Sequence, residues 1–170
     1  MPDEFRSDAT VQLEREYSAT PDEVWDAWTS PERLARWLGK PAGPVLDAAE
    51  PVRLTLGDGD DEWADVSVIT ADRPRLLELV WAFVGEPSSV LRVEIEPVDA
   101  TRTRLVVEHR GLGSSAVGYG AGWQAYLDGE LAGELGGAWE TSGWDVRFER
   151  ALPIWRERAA AAQGTSSATG

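Results

Sequence analysis

"YSATPDEVWDAWTSPERLARWL", residues 17–38, decides how the chain begins to fold. Thr20-Pro21-Asp22-Glu23 places a threonine at N-cap, a proline at N1 and a glutamate at N3. That is a capping box, whose cap alone contributes about 1 kcal/mol. Ser30-Pro31-Glu32 restarts the pattern ten residues on. The spacing predicts one helix over about 21–29, with Val24, Trp25 and Trp28 on its apolar face, and a second over about 31–38, with Leu34, Trp37 and Leu38. Both are too short to stand alone and must dock on structure elsewhere.

Before this stretch, "TVQLEREY" (10–17) alternates as a strand does, with Val11, Leu13, Arg15 and Tyr17 on one face and Gln12, Glu14 and Glu16 on the other. Arg15 therefore turns toward the interior. After it, from Val45 to Arg110, apolar runs alternate with turn residues. Val52, Leu54 and Leu56 lead into the turn "GDGDD", and "EWADVSVIT" follows with a mixed face. Leu77, Leu79, Trp81 and Phe83 share a face; so do Leu91, Val93 and Ile95, and then Leu105, Val107 and His109. Consecutive strands joined by short turns imply an antiparallel meander.

"SSAVGYGAGWQAYLDGELAGEL" (114–135) returns to helical spacing, with Trp123, Leu127, Leu131 and Leu135 in register and Tyr126 beside them. Each interior glycine costs up to about 1 kcal/mol against alanine. This predicts a late start near Gly120 to Gly122, with the glycines close against the sheet. Residues 139–162 read as a helical extension holding Trp139, Trp144, Phe148 and Trp155, its helix opened by Pro153. The expected organisation is a flexible end at 1–9, one domain at 10–162 and a disordered tail at 163–170.

Composition narrows the function. The chain has 170 residues, no cysteine, one histidine and a formal charge of −14. Thiol nucleophiles, disulfides and zinc–thiolate sites are excluded. The negative charge disfavours nucleic acid and anionic membranes as partners. No apolar run of about 18 residues and no basic leader is present, so the expected address is cytoplasmic. Nine tryptophans mean that something large and apolar is filled or lined.

The polar candidates are few. His109 points inward and is either a hydrogen-bonded core histidine or a general base. Arg15 needs an anion, either an internal carboxylate or a ligand. The structural role is favoured for each. "DGDDE" (58–62) lacks the spaced ligands of a calcium loop and reads as a solvated turn. No metal or cofactor is expected. The aromatics divide between core and ligand box, with Trp25, Trp28, Trp37, Trp81, Phe83, Trp123, Tyr126 and Leu127 as candidate lining.

A strand, two short helices, a meander and a long helix follow the order of the α+β START-like, Bet v 1-like or helix-grip fold, in which a curved antiparallel sheet wraps a C-terminal helix. Residues 15–39, "REYSATPDEVWDAWTSPERLARWLG", resemble the opening motif of the family named for the activator of the heat shock protein 90 ATPase, a branch of the SRPBCC superfamily. "GWQAYLD" (122–128) resembles that family's long-helix signature, and "LPIWRER" (152–158) a tail seen in stand-alone bacterial members. Position 38 is Leu where family members often carry a second Trp, and "AAEPVRLTL" lacks their Gly-Gly-aromatic segment, which implies a different cavity mouth. The eukaryotic activator's separate chaperone-binding domain has no counterpart expected here.

The resemblance implies a cavity between sheet and helix. Three functions are expected in order of preference. The first is non-enzymatic binding of a small hydrophobic or aromatic molecule. The second is a polyketide cyclase- or aromatase-like enzyme using the same cavity, with His109 and Arg15 as polar actors. The third is a protein-interaction module of the chaperone-activator type, working through the outer sheet face. A homodimer through the Trp139 to Trp155 segment is a further expectation.

Overall fold

The computed structural model describes residues 3–137 and 140–167. Eight antiparallel strands form one sheet in the order β1-β2-β8-β7-β6-β5-β4-β3. These are β1 (Glu4–Arg6), β2 (Thr10–Tyr17), β3 (Gly39–Pro41), β4 (Val52–Leu56), β5 (Trp63–Asp72), β6 (Leu76–Phe83), β7 (Ser89–Pro97) and β8 (Thr103–Arg110). The helices are α1 (Pro21–Thr29), α2 (Pro31–Trp37), α3 (Ala116–Asp128), α4 (Glu130–Glu134) and α5 (Trp144–Ser167). The architecture is the α+β helix-grip, with α3 held by the sheet and α5 packed on α3.

Alternation along the strands sets the two sheet faces. Val11, Leu13, Leu77, Leu79, Leu91, Val93, Ile95, Leu105 and Val107 are all buried on the inner side. The outer side is laced by cross-strand ion pairs, among them Arg104 with Glu14 and Glu96 and Arg92 with Glu78. A register shift between Val68 and Thr70 interrupts the β5–β6 ladder, and Ile69 beside it is half exposed. Such bulges bend a strand and help the sheet to curve.

The capping box of α1 is present: Glu23 N donates to Thr20 Oγ1 at 3.3 Å, and Thr20 N donates to Glu23 Oε2 at 2.7 Å. Ser30 does not cap α2 in this way; its hydroxyl donates to Glu32 Oε2 at 3.0 Å. Both helices bury their tryptophans, with Trp25, Trp28 and Trp37 at most 3% exposed.

Four expectations are corrected. The first residues are not all free: β1 pairs with β2, Phe5 opposite Val11. The central helix starts at Ala116 rather than near Gly120 to Gly122. Its glycines serve helix packing more than sheet packing, since a Cβ on Gly120 would lie 2.4 Å from the Trp155 indole of α5. Finally, α5 begins at Trp144, nine residues before Pro153, which lies inside it, and runs to Ser167, beyond the expected end at 162. Proline within a helix forfeits one backbone hydrogen bond; the packing of Trp155 and Arg147 offsets that loss.

Candidate ligand cavity

Arg147 fixes the second wall of the site. Its guanidinium is 3% exposed and lies over Gly129, where α3 gives way to α4. It donates to Ala125 O at 3.1 Å, to Glu140 O at 3.2 Å, to Ser142 O, and to Glu130 Oε1 at 2.5 Å. A side chain on Gly129 would occupy the same space: its Cβ would stand 2.2 Å from Arg147. Two turns beyond Arg147 on α5, Trp155 is fully buried and donates through Nε1 to Gln124 Oε1 at 2.8 Å. These two anchors hold α5 along α3.

Between the sheet, α3 and the start of α5 lies a cavity of about 430 Å³. That volume suits a small organic ligand. Trp81 and Phe83 of β6 form its floor. Tyr119, Trp123 and Tyr126 project from α3, and Trp144 and Phe148 from α5. Leu38 and Leu56 close one side. The rings interlock: Trp81 meets Trp123 at 5.9 Å, Tyr126 meets Trp144 at 5.4 Å, and Trp144 stacks on Phe148 at 4.9 Å and 12°.

The polar groups collect at one end. Tyr119 donates to Glu86 Oε2 at 2.9 Å and accepts from Trp81 Nε1 at 3.1 Å. Ser115 donates to Glu86 Oε1 at 3.2 Å. Burial, more than its partners, raises the Tyr119 pKa above the usual phenol value. Glu62 also lines the cavity and is exposed at its rim. Burial first, then the charges of Glu130 and Glu62, push the Tyr126 hydroxyl up to about 12.

The two residues expected to act together are apart. His109 is fully buried and does not line the cavity. Its Nδ1 accepts from Trp123 Nε1 at 3.0 Å, so Nε2 carries the proton and donates to Ser89 Oγ at 2.7 Å. Ser89 donates onward to Trp81 O at 3.2 Å. Burial pushes the His109 pKa down to about 3, which keeps the ring neutral. Both nitrogens are occupied within the core, so the ring offers no base to a ligand.

Arg15 pairs instead with Asp3 at 2.6 Å and with Asp128, at the end of α3, at 2.6 Å. Burial opposes its charge, and the two carboxylates outweigh burial and raise its pKa. Beside it Tyr17 donates to Leu127 O at 2.8 Å. Arg15 and Leu127 line a separate hollow of about 240 Å³. The Arg15–Asp128 pair and the Tyr17–Leu127 hydrogen bond tie the end of α3 to β2.

Of the aromatic candidates, Trp81, Phe83, Trp123 and Tyr126 line the cavity; Trp25, Trp28 and Trp37 do not. The last three lie behind its wall. Trp28 packs edge-on against Trp37 at 4.8 Å and leans on Trp123 at 5.8 Å, and Trp37 Nε1 donates to Ala27 O at 2.6 Å. Among tryptophans of the expected dimer segment, Trp155 is enclosed within its own chain and Trp144 faces the cavity; Trp139 lies outside the described residues.

The family described as "Activator of Hsp90 ATPase homolog 1-like protein" matches residues 18–136. The chain belongs to this family. Solved structures of the same fold agree. CalU16 from Micromonospora echinospora is 25% identical, covers 88% of each chain and superposes with a TM-score of 0.70. DynU16, described as a putative protein in the dynemicin biosynthetic locus, is 28% identical over 76% of this chain and 48% of its own, with a TM-score of 0.66. This chain thus spans about half of DynU16. A protein from Bordetella parapertussis, 23% identical with a TM-score of 0.66, shares the fold. Among curated protein sequences there is no significant match.

Tyr119, Glu86, Trp144 and Phe148 are among the cavity residues that sequence reasoning missed. A signal existed for some of them. Tyr119, Trp123 and Tyr126 stand at i, i+4 and i+7, an aromatic stripe on one helix face, and Trp144 and Phe148 at i and i+4. Glu86 gave none, because a glutamate in a Gly-Glu-Pro turn reads as solvated. Leu38, where the family often has Trp, does line the cavity.

Proposed function

We propose that the protein is a cytoplasmic binder of a small hydrophobic or aromatic molecule, held in the cavity between sheet, α3 and α5 without chemical turnover. The cavity carries this reading: about 430 Å³ walled chiefly by aromatic rings. An interior of that size, left unfilled in a chain with nine tryptophans available, favours an occupant over simple packing. The fold of CalU16 and the locus of DynU16 fit a small-molecule role. The neutral, fully partnered His109 and the ion-paired Arg15 weigh against acid–base chemistry by the residues first suspected.

A catalytic reading of the same cavity would run through Glu86 and Tyr119, whose hydrogen bond at 2.9 Å is the one acid–phenol pair in the lining described. A partner-binding role through the outer sheet face finds less support, because ion pairs rather than an apolar patch cover that face.

Native mass spectrometry of protein purified from its own host, followed by tryptophan-fluorescence titration with a panel of aromatic compounds, tests the proposal. A co-purifying small molecule, or saturable quenching with one-to-one stoichiometry, is expected. No adduct and unchanged fluorescence across the panel would refute it.

A further inference from the structure

We propose that the cavity's ligand is cationic: an aromatic or alicyclic molecule bearing a protonated amine, which Glu86 and Glu62 recognise while the rings hold the apolar body. This rests on the cavity being a ligand site and names the class that fits it. Fifteen of the chain's basic residues are arginines, yet neither an arginine nor a lysine lines this space, while two glutamates do. An anionic ligand would meet two carboxylates and no counter-charge. A neutral one would fill the walls and leave the carboxylates to water.

The arrangement of Glu86 is specific. Each carboxylate oxygen accepts one hydroxyl hydrogen bond, Oε2 from Tyr119 and Oε1 from Ser115. These fix the group's orientation and leave acceptor capacity on both oxygens, since a carboxylate offers about four lone-pair sites. The surrounding rings reinforce the preference, because the negative faces of Trp and Tyr attract cations. Trp81, Tyr119 and Trp123 surround this end of the cavity. Glu62 sits at the rim, and its charge adds to that of Glu130 and to burial in raising the Tyr126 pKa. The same negative field that disfavours a phenolate there favours an ammonium. The overall charge of −14 draws cations toward the protein at longer range.

Three probes on one skeleton separate the alternatives: 2-(1-naphthyl)ethylamine, protonated at neutral pH, the neutral 2-(1-naphthyl)ethanol, and the anionic 1-naphthylacetate. Calorimetric titration at low salt of the wild type, Glu86→Gln and Glu62→Gln gives the comparison. In the wild type the ammonium should bind about tenfold or more tightly than the alcohol, and the acetate most weakly. In either variant the ammonium-to-alcohol ratio should collapse toward one. Glu62 is exposed, so its variant leaves the fold intact if Glu86→Gln disturbs it. Should the alcohol bind as tightly as the ammonium, or the acetate bind best, the cavity is a ligand site but the cationic class is wrong. A preference that survives in both variants removes the carboxylates from recognition and overturns the proposal. If none of the three probes binds the wild type, the ligand-site reading fails and this one falls with it.

Discussion

The indole Nε1 of Trp123 donates to Nδ1 of His109 at 3.0 Å, and this one bond fixes which nitrogen of the only histidine carries its proton. It ties a cavity-lining ring of α3 to the inner face of β8. The wall of the cavity is therefore set by a core hydrogen bond instead of by a mobile side chain.

A histidine pushed down to about 3 in the fold, against 6.5 for the free group, takes up a proton on unfolding between those pH values. Its contribution to stability is level above about pH 6.5 and is lost as pH falls, by at most about 1.4 kcal/mol per pH unit. His109→Gln should be less stable than the wild type at pH 7, and the gap should narrow on going to pH 5. Denaturant melts at several pH values measure it. A gap independent of pH, or a ring in the folded protein that titrates near 6.5 by nitrogen NMR, would show that His109 is not enclosed as described.

Gly120 and Gly118 lie two residues apart on α3 and should respond oppositely to alanine. At Gly120 the new Cβ would stand 2.4 Å from Trp155, while at Gly118 it would meet nothing within 4 Å. Overpacking costs about 1 to 3 kcal/mol, against a helix-propensity gain of about 1 kcal/mol. Gly120→Ala should lower the melting temperature, and Gly118→Ala should raise it slightly. Equal effects at the two positions would contradict the docking of α5 on α3.

Arg147 is the buried cation that ties α5 to the α3–α4 junction. Replacing it with Met strands Glu130 and several carbonyls, at a cost of about 3 to 5 kcal/mol. Thermal melts of Arg147→Met should show that loss, and aromatic ligands should bind more weakly because Trp144 and Phe148 ride on α5. Unchanged stability would mean that α5 is held by its apolar contacts alone.

Arg15 separates anchoring from binding. Arg15→Ala leaves Asp3 and Asp128 facing each other without their shared cation, in a half-buried site. A loss of about 1 to 3 kcal/mol is expected. Affinity for any cavity ligand, measured well below the melting temperature, should not change. A selective loss of affinity would return Arg15 to the binding site.

The sheet was legible in the sequence because strand alternation repeats every two residues, and in β2 and β6 to β8 it is nearly unbroken from Val11 to His109. The capping box at Thr20 made α1 equally plain. β1 was hidden by its length of three residues and by its turn, where Ala9 adopts a φ of 60° that a glycine or asparagine would usually signal. The start of α3 was obscured by Gly118, Gly120 and Gly122, whose low intrinsic propensity is overridden by packing against α5. That contact joins residues far apart in sequence, so no local pattern announces it. The same blindness moved Trp25, Trp28 and Trp37 into the expected cavity: sequence shows that a tryptophan is inward, not which neighbour stands between it and the open space. Trp123 is that neighbour for Trp28.

Filling the cavity from its own wall tests the central claim most directly. Gly118 lines the cavity, and a Cβ there would enter open space, so Gly118→Leu adds bulk inside it within an intact helix. Titration with the neutral dye N-phenyl-1-naphthylamine, read by its fluorescence gain and by energy transfer from tryptophan, should show saturable binding to the wild type. Gly118→Leu, with a melting temperature at or above that of the wild type, should lose about tenfold or more in affinity. Equal binding by the two proteins would show that the ligand lies elsewhere and contradict the account.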